Sequence, residues 1–397
     1  MKPRYASNIM VPRRIASLVK KRADEYPVLT LTGPRQSGKT TLCQGLFPRM
    51  PYRSLESADQ RRFAMEDPRG FLAQIPDGAI LDEIQRVPEL VSYLQEEVDR
   101  DPRPGRFILT GSQNLAVREA VAQSLAGRTA MLTLLPLSLD ERAEFPGAPD
   151  GLWEGLLAGG YPRIFDRGLD PAVWLGDYTA TYVERDVRHL LRVADLHAFQ
   201  AFLTLVAGRT GQEVNATSLA GDVGVSVNTI RAWLSVLEAS YLILLLPAWH
   251  PNTRKQVVRA AKLHMLDSGL ACHLLGISTK EQLYAHPLRG AIFESWMVSE
   301  VAKARLHTGL SPRMFHYREA RGPEVDLLVQ GEAHWILAEA KSGSTVDSSF
   351  FAGMESFSTR LPKGASIVRR LVYGGNEHQQ RQGVAVTPWS QIQDNRW

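Results

Sequence analysis

Short apolar runs alternate with longer mixed segments through the first third of the chain. Residues 28–31, 52–55, 79–81, 107–109 and 131–135 form apolar runs of strand length, separated by stretches of helical length. Such alternation predicts an α/β unit on a largely parallel sheet, because parallel neighbours need a crossover between them. From 139 to about 208 the strand-length runs disappear. A helical pattern remains, punctuated by Pro146, Gly147, Pro149, Gly159, Gly160 and Pro162. Residues 211 to about 275 read as two short helices followed by a two-strand wing. The apolar run 241–246 within them is far too short for the ~20 residues of a membrane helix and reads as a buried strand. Strand candidates return at 313–318, 324–329, 335–341, 367–373 and 384–388, with helical segments at 290–306 and 348–360. That pattern predicts a second α/β unit.

Length and composition narrow the class. A chain of 397 residues is expected to hold two to four domains at roughly 100–200 residues each. Hydrophobic residues at 44% and charged residues at 22% exclude collagen-like and mostly disordered chains. The two cysteines, Cys43 and Cys272, cannot build a disulfide framework or a four-cysteine metal site, which favours a reducing compartment. Residues 1–26 carry Arg13, Arg14, Lys20, Lys21 and Arg22 without the apolar stretch of a signal peptide, so a cytoplasmic location with no membrane partner is expected. The net charge of +4, from 46 basic against 42 acidic residues, tolerates nucleic acid as a partner without arguing for it.

The candidate chemistry begins after the first apolar run. Gly33-Pro34-Arg35-Gln36-Ser37-Gly38-Lys39-Thr40, followed by Thr41, matches the phosphate loop G-x-x-x-x-G-K-[ST] between a strand and a helix. Glycines let backbone N–H groups close around phosphates, and the following helix turns the positive end of its dipole on them. Lys39 would reach the β- and γ-phosphates of ATP, and the Thr40 hydroxyl would ligate Mg²⁺. Two strands later, Ala79-Ile80-Leu81 ends in Asp82-Glu83. Asp82 suits the metal and Glu83 suits a general base for the attacking water. The next strand ends in Thr110-Gly111-Ser112-Gln113-Asn114, where Ser112, Gln113 or Asn114 would sense the γ-phosphate or cap the next helix. Gly127-Arg128 ends a helical segment. Its arginine suits either a finger that completes a neighbouring subunit's site or a cation at a helix C-terminus.

In this order, these motifs resemble prokaryotic AAA-type ATPases of the P-loop class that carry a C-terminal domain of unknown function. The similarity continues through Gly159-Gly160-Tyr161-Pro162, Tyr182-Val183-Glu184-Arg185-Asp186-Val187 and Asp267-Ser268-Gly269-Leu270. It reaches Gly290-Ala291-Ile292-Phe293-Glu294 and Glu324-Val325-Asp326. The resemblance implies a nucleotide-dependent, ring-forming ATPase, a homo-hexamer by expectation. It favours Arg128 as the finger and makes Arg163 a lid arginine that touches nucleotide.

Two further constellations bear on partners. Residues 218–237 match a helix-turn-helix, with Gly224 at the turn and Ser226 as N-cap. Asn228, Thr229 and Arg231 fall on the edge that reads bases in DNA-binding versions, and Arg254-Lys255 would tip a wing suited to phosphates. The same module also serves as a protein-docking surface. Further on, Glu294 precedes Asp326 and the triplet Glu339-Ala340-Lys341, with Glu339 and Lys341 on one face of a strand. Carboxylates in this pattern would hold a divalent metal, and Lys341 would orient or activate water. The set resembles the PD-(D/E)XK nuclease superfamily, and Arg318 and Arg321 beside it would suit a phosphate backbone.

The expected architecture is α/β throughout. A basic arm (1–26) precedes a P-loop AAA+-type ATPase core (27–138), a helical lid (139–208), a winged helix (209–275) and a restriction-endonuclease-like domain (276–397). The expected function is a Mg²⁺-ATP-dependent motor on duplex or branched DNA. The alternatives are an ATP-dependent switch with protein partners and an ATP-gated nuclease.

Overall fold

In the computed structural model, which describes residues 11–111, 123–182, 195–252, 259–319, 322–331, 334–361 and 364–397, the early apolar runs become one five-stranded parallel sheet. Helix α1 (Ala16–Glu25) leads into β1 (Val28–Thr32), α2 (Lys39–Leu46), β2 (Tyr52–Ser54), α3 (Ala58–Glu66) and α4 (Pro68–Ala73). Then come β3 (Ala79–Asp82), α5 (Leu90–Arg100), β4 (Phe107–Gly111) and β5 (Thr129–Thr133). The order across the sheet is β5-β1-β4-β3-β2, so β4 separates the phosphate-loop strand from the strand that ends in Asp82. Strands β1, β3 and β4 are buried at every position, as strands covered on both faces must be.

Residues 11–26, expected as a separate basic arm, are part of this unit. Ile15 and, on α1, Leu18, Val19 and Ala23 pack with Leu29, Leu31 and Leu42, a face that separates the arm's cations from a continuous apolar stripe. Strand β5 starts two residues before the apolar pattern and ends before it. Leu134 and Leu135 are buried beyond the strand's end; the Leu134 N–H still donates to the Thr32 carbonyl (2.8 Å), and the two side chains fill the core.

The helical stretch comprises α6 (Leu139–Ala143), α7 (Leu152–Ala158), α8 (Pro162–Asp166), α9 (Pro171–Tyr178) and α10 (Leu196–Gly208). It is followed by β6 (Gln212–Glu213), α11 (Ala216–Val223), α12 (Val227–Ala239), β7 (Ile243–Leu246) and β8 (Lys262–Met265), the three strands forming an antiparallel sheet in the order β6-β8-β7. The turn between α11 and α12 follows from two residues. Gly224 takes a left-handed conformation (φ 80°), and the Ser226 hydroxyl accepts the Thr229 N–H to cap α12. Tyr161, Ile164 and Tyr178 share one core with Phe199, Leu219, Ile230 and Leu263, so the boundary expected at 208/209 runs through continuous packing.

The last part holds α13 (Ser268–Leu274), α14 (Lys280–Ala285), α15 (Arg289–His307), β9 (Met314–Arg318), β10 (Glu324–Gln330), β11 (His334–Lys341), α16 (Ala352–Ser358), β12 (Ser366–Tyr373), β13 (Gln379–Arg381) and β14 (Val384–Pro388). Its sheet has the order β13-β14-β12-β11-β10-β9. β9, β10 and β11 run antiparallel, whereas β11, β12 and β14 run parallel, with α16 making the crossover. The helix expected at 348–360 opens as a tight 3-10 turn (Ser348–Phe351) before α16. Helix α15 is buried around most of its circumference and packs Phe293, Met297 and Val301 with Leu135, Leu156 and Leu266 from earlier in the chain. Among the described residues no helix is long and apolar enough to cross a membrane.

Candidate functional site

The phosphate loop leaves β1 through backbone that only glycine accepts. A Cβ on Gly33 would lie 2.1 Å from the Leu134 carbonyl oxygen, and Gly38 takes φ 94° at the N-cap of α2. Gln36 adopts φ 66° without being glycine, a sign that the loop is held in place by its surroundings. The Lys39 side chain is buried, and its ammonium donates to the carbonyl oxygens of Gly33 (3.0 Å) and Pro34 (2.8 Å). Burial lowers its pKa to about 8, against the opposing pull of Glu83 and Asp82.

Asp82 closes the loop's other side. Its carboxylate accepts from the Thr40 hydroxyl (3.0 and 3.1 Å), from the Tyr52 hydroxyl (2.7 Å) and from the Thr110 hydroxyl. Burial and the bond to Asp82 push the Tyr52 hydroxyl up to about 12, so it remains a donor. Glu83 follows in a left-handed conformation (φ 59°), where its carboxylate accepts from the Gln85 amide. A non-glycine residue held there is strained, and the turn aims Glu83 away from the line of β3. Thr40 and Asp82 are thus an oxygen pair that fits a hard cation such as Mg²⁺.

Arg13 fastens the loop from behind. Its guanidinium donates to the carbonyl oxygens of Ser37 (2.8 Å) and Leu135 (2.8 Å) and pairs with buried Glu141 (3.1 Å). These groups open onto a cleft of about 810 Å³ lined by Arg13, Gly38–Thr41, Asp82 and Glu83. From α8 it is lined by Pro162 and Arg163, the latter exposed at its edge. The volume lies in the range of small-molecule and cofactor sites. Gly159-Gly160 positions α8: the Gly160 N–H donates to Asp267 (2.8 Å), and a Cβ on Gly159 would meet the same carboxylate at 2.3 Å. Two motifs far apart in sequence thereby meet at one carboxylate.

Arg35 pairs with Glu56 (2.8 Å). Ser112, Gln113 and Asn114 lie outside the described residues, as do Arg254, Lys255 and Arg321. Arg128 stands at the opposite end of the sheet from the phosphate loop, where its backbone carbonyl accepts from the Val28 N–H (3.2 Å) and its side chain pairs with Asp99 (2.9 Å). It does not reach its own subunit's cleft. On α12, Asn228 and Arg231 are exposed, but Thr229 is half-buried and its hydroxyl is bonded to Ser226 (2.8 Å). Of the three residues expected on the base-reading edge, Thr229 is thus the one partly withdrawn from solvent, because the cap of the helix uses it.

A second polar centre gathers Glu294 from α15, Asp326 from β10, and Glu339 and Lys341 from β11. A register shift in β10 between Val325 and Leu328 swings Asp326 so that its carboxylate accepts the Ala340 N–H (3.0 Å). Lys341 pairs with Glu339 (3.0 Å) and lies 4.0 Å from Asp326. The expectation of a divalent metal here meets a different occupant. Lys262, on β8, places its ammonium 2.6 Å from Glu294, 2.7 Å from Glu324 and 3.7 Å from Asp326. Among the described residues no three His, Cys, Asp or Glu side chains are spaced to hold a metal ion. As arranged, the donors do not fit one. Burial raises the carboxyls of Glu339 and Glu294, with Asp326 adding to both. For Lys262 desolvation is the largest influence and lowers its pKa, but Glu294, Asp326 and Glu324 together outweigh it and hold the lysine protonated.

Sequence reasoning missed Arg13, Tyr52, Thr110 and Lys262 as site residues. Neither Thr110 nor Lys262 stands out in the sequence, because the burial of their strands at every position appears only in the packing.

Family models match three stretches of the chain: an AAA domain at residues 25–143, a domain of unknown function (DUF8612) at 149–281, and another (DUF4143) at 289–392. Relatives include the uncharacterized proteins Rv2008c of Mycobacterium tuberculosis and Mb2031c of Mycobacterium bovis, each 32% identical over 347 residues, covering 85% of this chain and 76% of theirs. An uncharacterized protein of Haemophilus influenzae is 26% identical over 231 residues, or 54% of this chain and 56% of its own. Among solved structures, the Walker-type ATPase paby2304 of Pyrococcus abyssi aligns with a TM-score of 0.45 at 15% identity, over 69% of this chain and 98% of that one. On the extent and identity of the mycobacterial match, the chain belongs to the same family as those two proteins, and its first unit is an AAA-type P-loop ATPase domain.

Proposed function

We propose that this chain is a Mg²⁺-ATP-dependent ATPase that binds and remodels duplex or branched DNA, working as a ring in which each subunit completes its neighbour's site. The observation that carries the reading is the convergence of Lys39, Thr40, Asp82 and Glu83 on one cleft of nucleotide size. ATP would seat its phosphates in the backbone nest of residues 33–40, with Lys39 exchanging its loop carbonyls for β- and γ-oxygens. Thr40 and Asp82 would hold Mg²⁺, which supplies neutralising charge to the phosphates when bound. Glu83 would take the proton of the attacking water as its oxygen bonds to the γ-phosphorus and the bond to ADP breaks. Arg163 would contact nucleotide from the lid, and Arg128 would serve the neighbouring subunit.

DNA as the partner draws its support from residues 212–265. Two helices joined at Gly224 and followed by an antiparallel hairpin have the form of a winged helix, and Asn228 and Arg231 are exposed on the edge that reads bases in such modules. The succession α15-β9-β10-β11-α16-β12 supports a nuclease-like C-terminal unit that would act as a DNA platform. The test is a panel of single-stranded, duplex, forked and four-way DNA, measured for binding at low salt and for ATPase stimulation. Binding with stimulated hydrolysis is expected, with a preference among the four. ATPase activity indifferent to every DNA, with no binding at low salt, overturns the DNA reading. Absence of ATP hydrolysis under all conditions overturns the whole.

A further inference from the structure

Besides its own Lys341, the carboxylate centre of the last unit holds a second cation, and that one comes from another unit. We infer that Lys262 occupies the place a divalent metal would take, so that the centre is a metal-excluding latch between the helix-turn-helix unit and the C-terminal unit. Three observations carry this. First, the lysine belongs to β8, which pairs with β7 and β6 and lies outside the six-stranded sheet that bears Asp326 and Glu339. Second, its ammonium lies within hydrogen-bonding distance of Glu294 and Glu324, with Asp326 a little further off. Third, the lysine side chain is 4% exposed and Glu294 13%, so this is an interior pair and not a surface contact. A buried carboxylate cluster needs a compensating charge. An ammonium and a metal cannot share that position, because like charges at such separation repel strongly.

His264, two residues along the same strand, supports the placement. Its Nδ1 bonds Ser295 (2.9 Å), whose hydroxyl also bonds Thr210 (2.8 Å), so β8 is pinned to α15 beside Glu294. Burial holds this histidine well below its ordinary pKa, and it adds no second positive charge. Lys262 is therefore the one cation that β8 brings to a centre whose own Lys341 pairs with Glu339, and withdrawal of β8 is what would open Glu294 and Asp326 to a metal. The inference rests on the geometry at Lys262 and stands whether or not DNA is the partner.

The test is a Mn²⁺ titration of the full-length protein, without nucleotide, followed by electron paramagnetic resonance. Wild type is compared with Lys262→Ala, Lys262→Met, Asp326→Ala and the double variant Lys262→Ala/Asp326→Ala, each checked for folding by circular dichroism. Wild type and Asp326→Ala are expected to show the same binding. Lys262→Ala should gain a saturable site with at least tenfold tighter binding, and the double variant should lose it. Mn²⁺ should raise the melting temperature of Lys262→Ala more than that of wild type or of the double variant, which share the Thr40–Asp82 pair. A wild-type site abolished by Asp326→Ala overturns the inference, and so does a folded Lys262→Ala or Lys262→Met that gains none. If neither lysine variant folds, the comparison of wild type with Asp326→Ala decides alone: equal binding supports the latch, and loss in the variant refutes it.

Discussion

Lys39 carries a pH dependence that its burial sets. Its pKa of about 8 lies below the ordinary 10.5 because the ammonium is desolvated. Polyphosphate beside it would favour the charged form and raise that value, so nucleotide binding takes up a proton at and above pH 8. Affinity should be flat below about pH 7.5 and fall by up to tenfold per unit above pH 8. Titration of a non-hydrolysable ATP analogue between pH 6.5 and 9.5 measures this directly, and Lys39→Arg should flatten the profile because arginine stays protonated. A flat wild-type profile refutes the assignment. The sign for folding is opposite. A depressed lysine pKa means the unfolded chain binds more protons between about 8 and 10.5, so this group's destabilisation of the free protein is relieved as pH rises through that window. Lys39, Thr40, Asp82 and Glu83 could be named from sequence because each pair belongs to a short local motif at a strand's end, although the two motifs lie 42 positions apart where they touch. Lys262 could not. It sits 64 positions before Asp326, and only the packing of β8 against α15 brings them together.

Elements were readable where the burial pattern and the element coincide, and misread where burial has another source. Strands β1, β3 and β4 are evident as apolar runs because both of their faces are buried, and the run past β5 misleads because Leu134 adds one bond to Thr32 and Leu135 fills a core beyond the strand's end. The segment before α1 looked like a cationic arm because its charges stand out in the chain, yet Arg13 points inward. Its guanidinium bonds the Ser37 carbonyl within the phosphate loop and the Leu135 carbonyl beyond β5 and pairs with Glu141, and both side chains are nearly inaccessible (7% and 1%). Desolvation raises the Glu141 carboxyl, but Arg13 and His307 outweigh it and hold the value at about 2. Glu141 therefore contributes stability at neutral pH that is lost as pH falls from about 4.5 towards 2. Arg13→Met strands that carboxylate and should cost about 3–5 kcal/mol of stability. It should also raise the KM for ATP more than it lowers kcat, since the loop loses its rear fastening. Arg13→Met/Glu141→Gln should recover most of the melting temperature but not the KM. Recovery of both would mean that Arg13 merely neutralises Glu141.

At the scale of the whole molecule the net charge of +4 says little, and the placement of individual cations says more. Arg14 pairs with Asp140 and Arg22 with Glu25, so part of the N-terminal charge is committed within the chain and not offered to a polyanion. Under the proposed function, Arg128 is the cation that would serve a neighbour. Thr129 is in register with Val28 at the start of β1, while the phosphate loop begins after Thr32, which separates Arg128 from its own Gly33 by roughly 20 Å along the strand. A finger must approach the γ-phosphate closely, so only another subunit's Arg128 can serve this cleft. Its partner Asp99 is exposed, and an exposed pair contributes little and can be exchanged for a phosphate. Mixing makes this testable. Lys39→Ala removes the loop lysine and keeps the finger, whereas Arg128→Ala keeps the loop and removes the finger. Each variant alone should lose most ATPase activity, and random co-assembly should create about a quarter of interfaces with an intact loop facing an intact finger. Activity should then rise above that of either variant in proportion to mixing and fall again on dilution below the assembly concentration. If Arg128→Ala alone hydrolyses ATP at the wild-type rate, Arg128 serves only to pair with Asp99 at the end of α5. If mixed assemblies form without recovery, the neighbour contributes no arginine from this position.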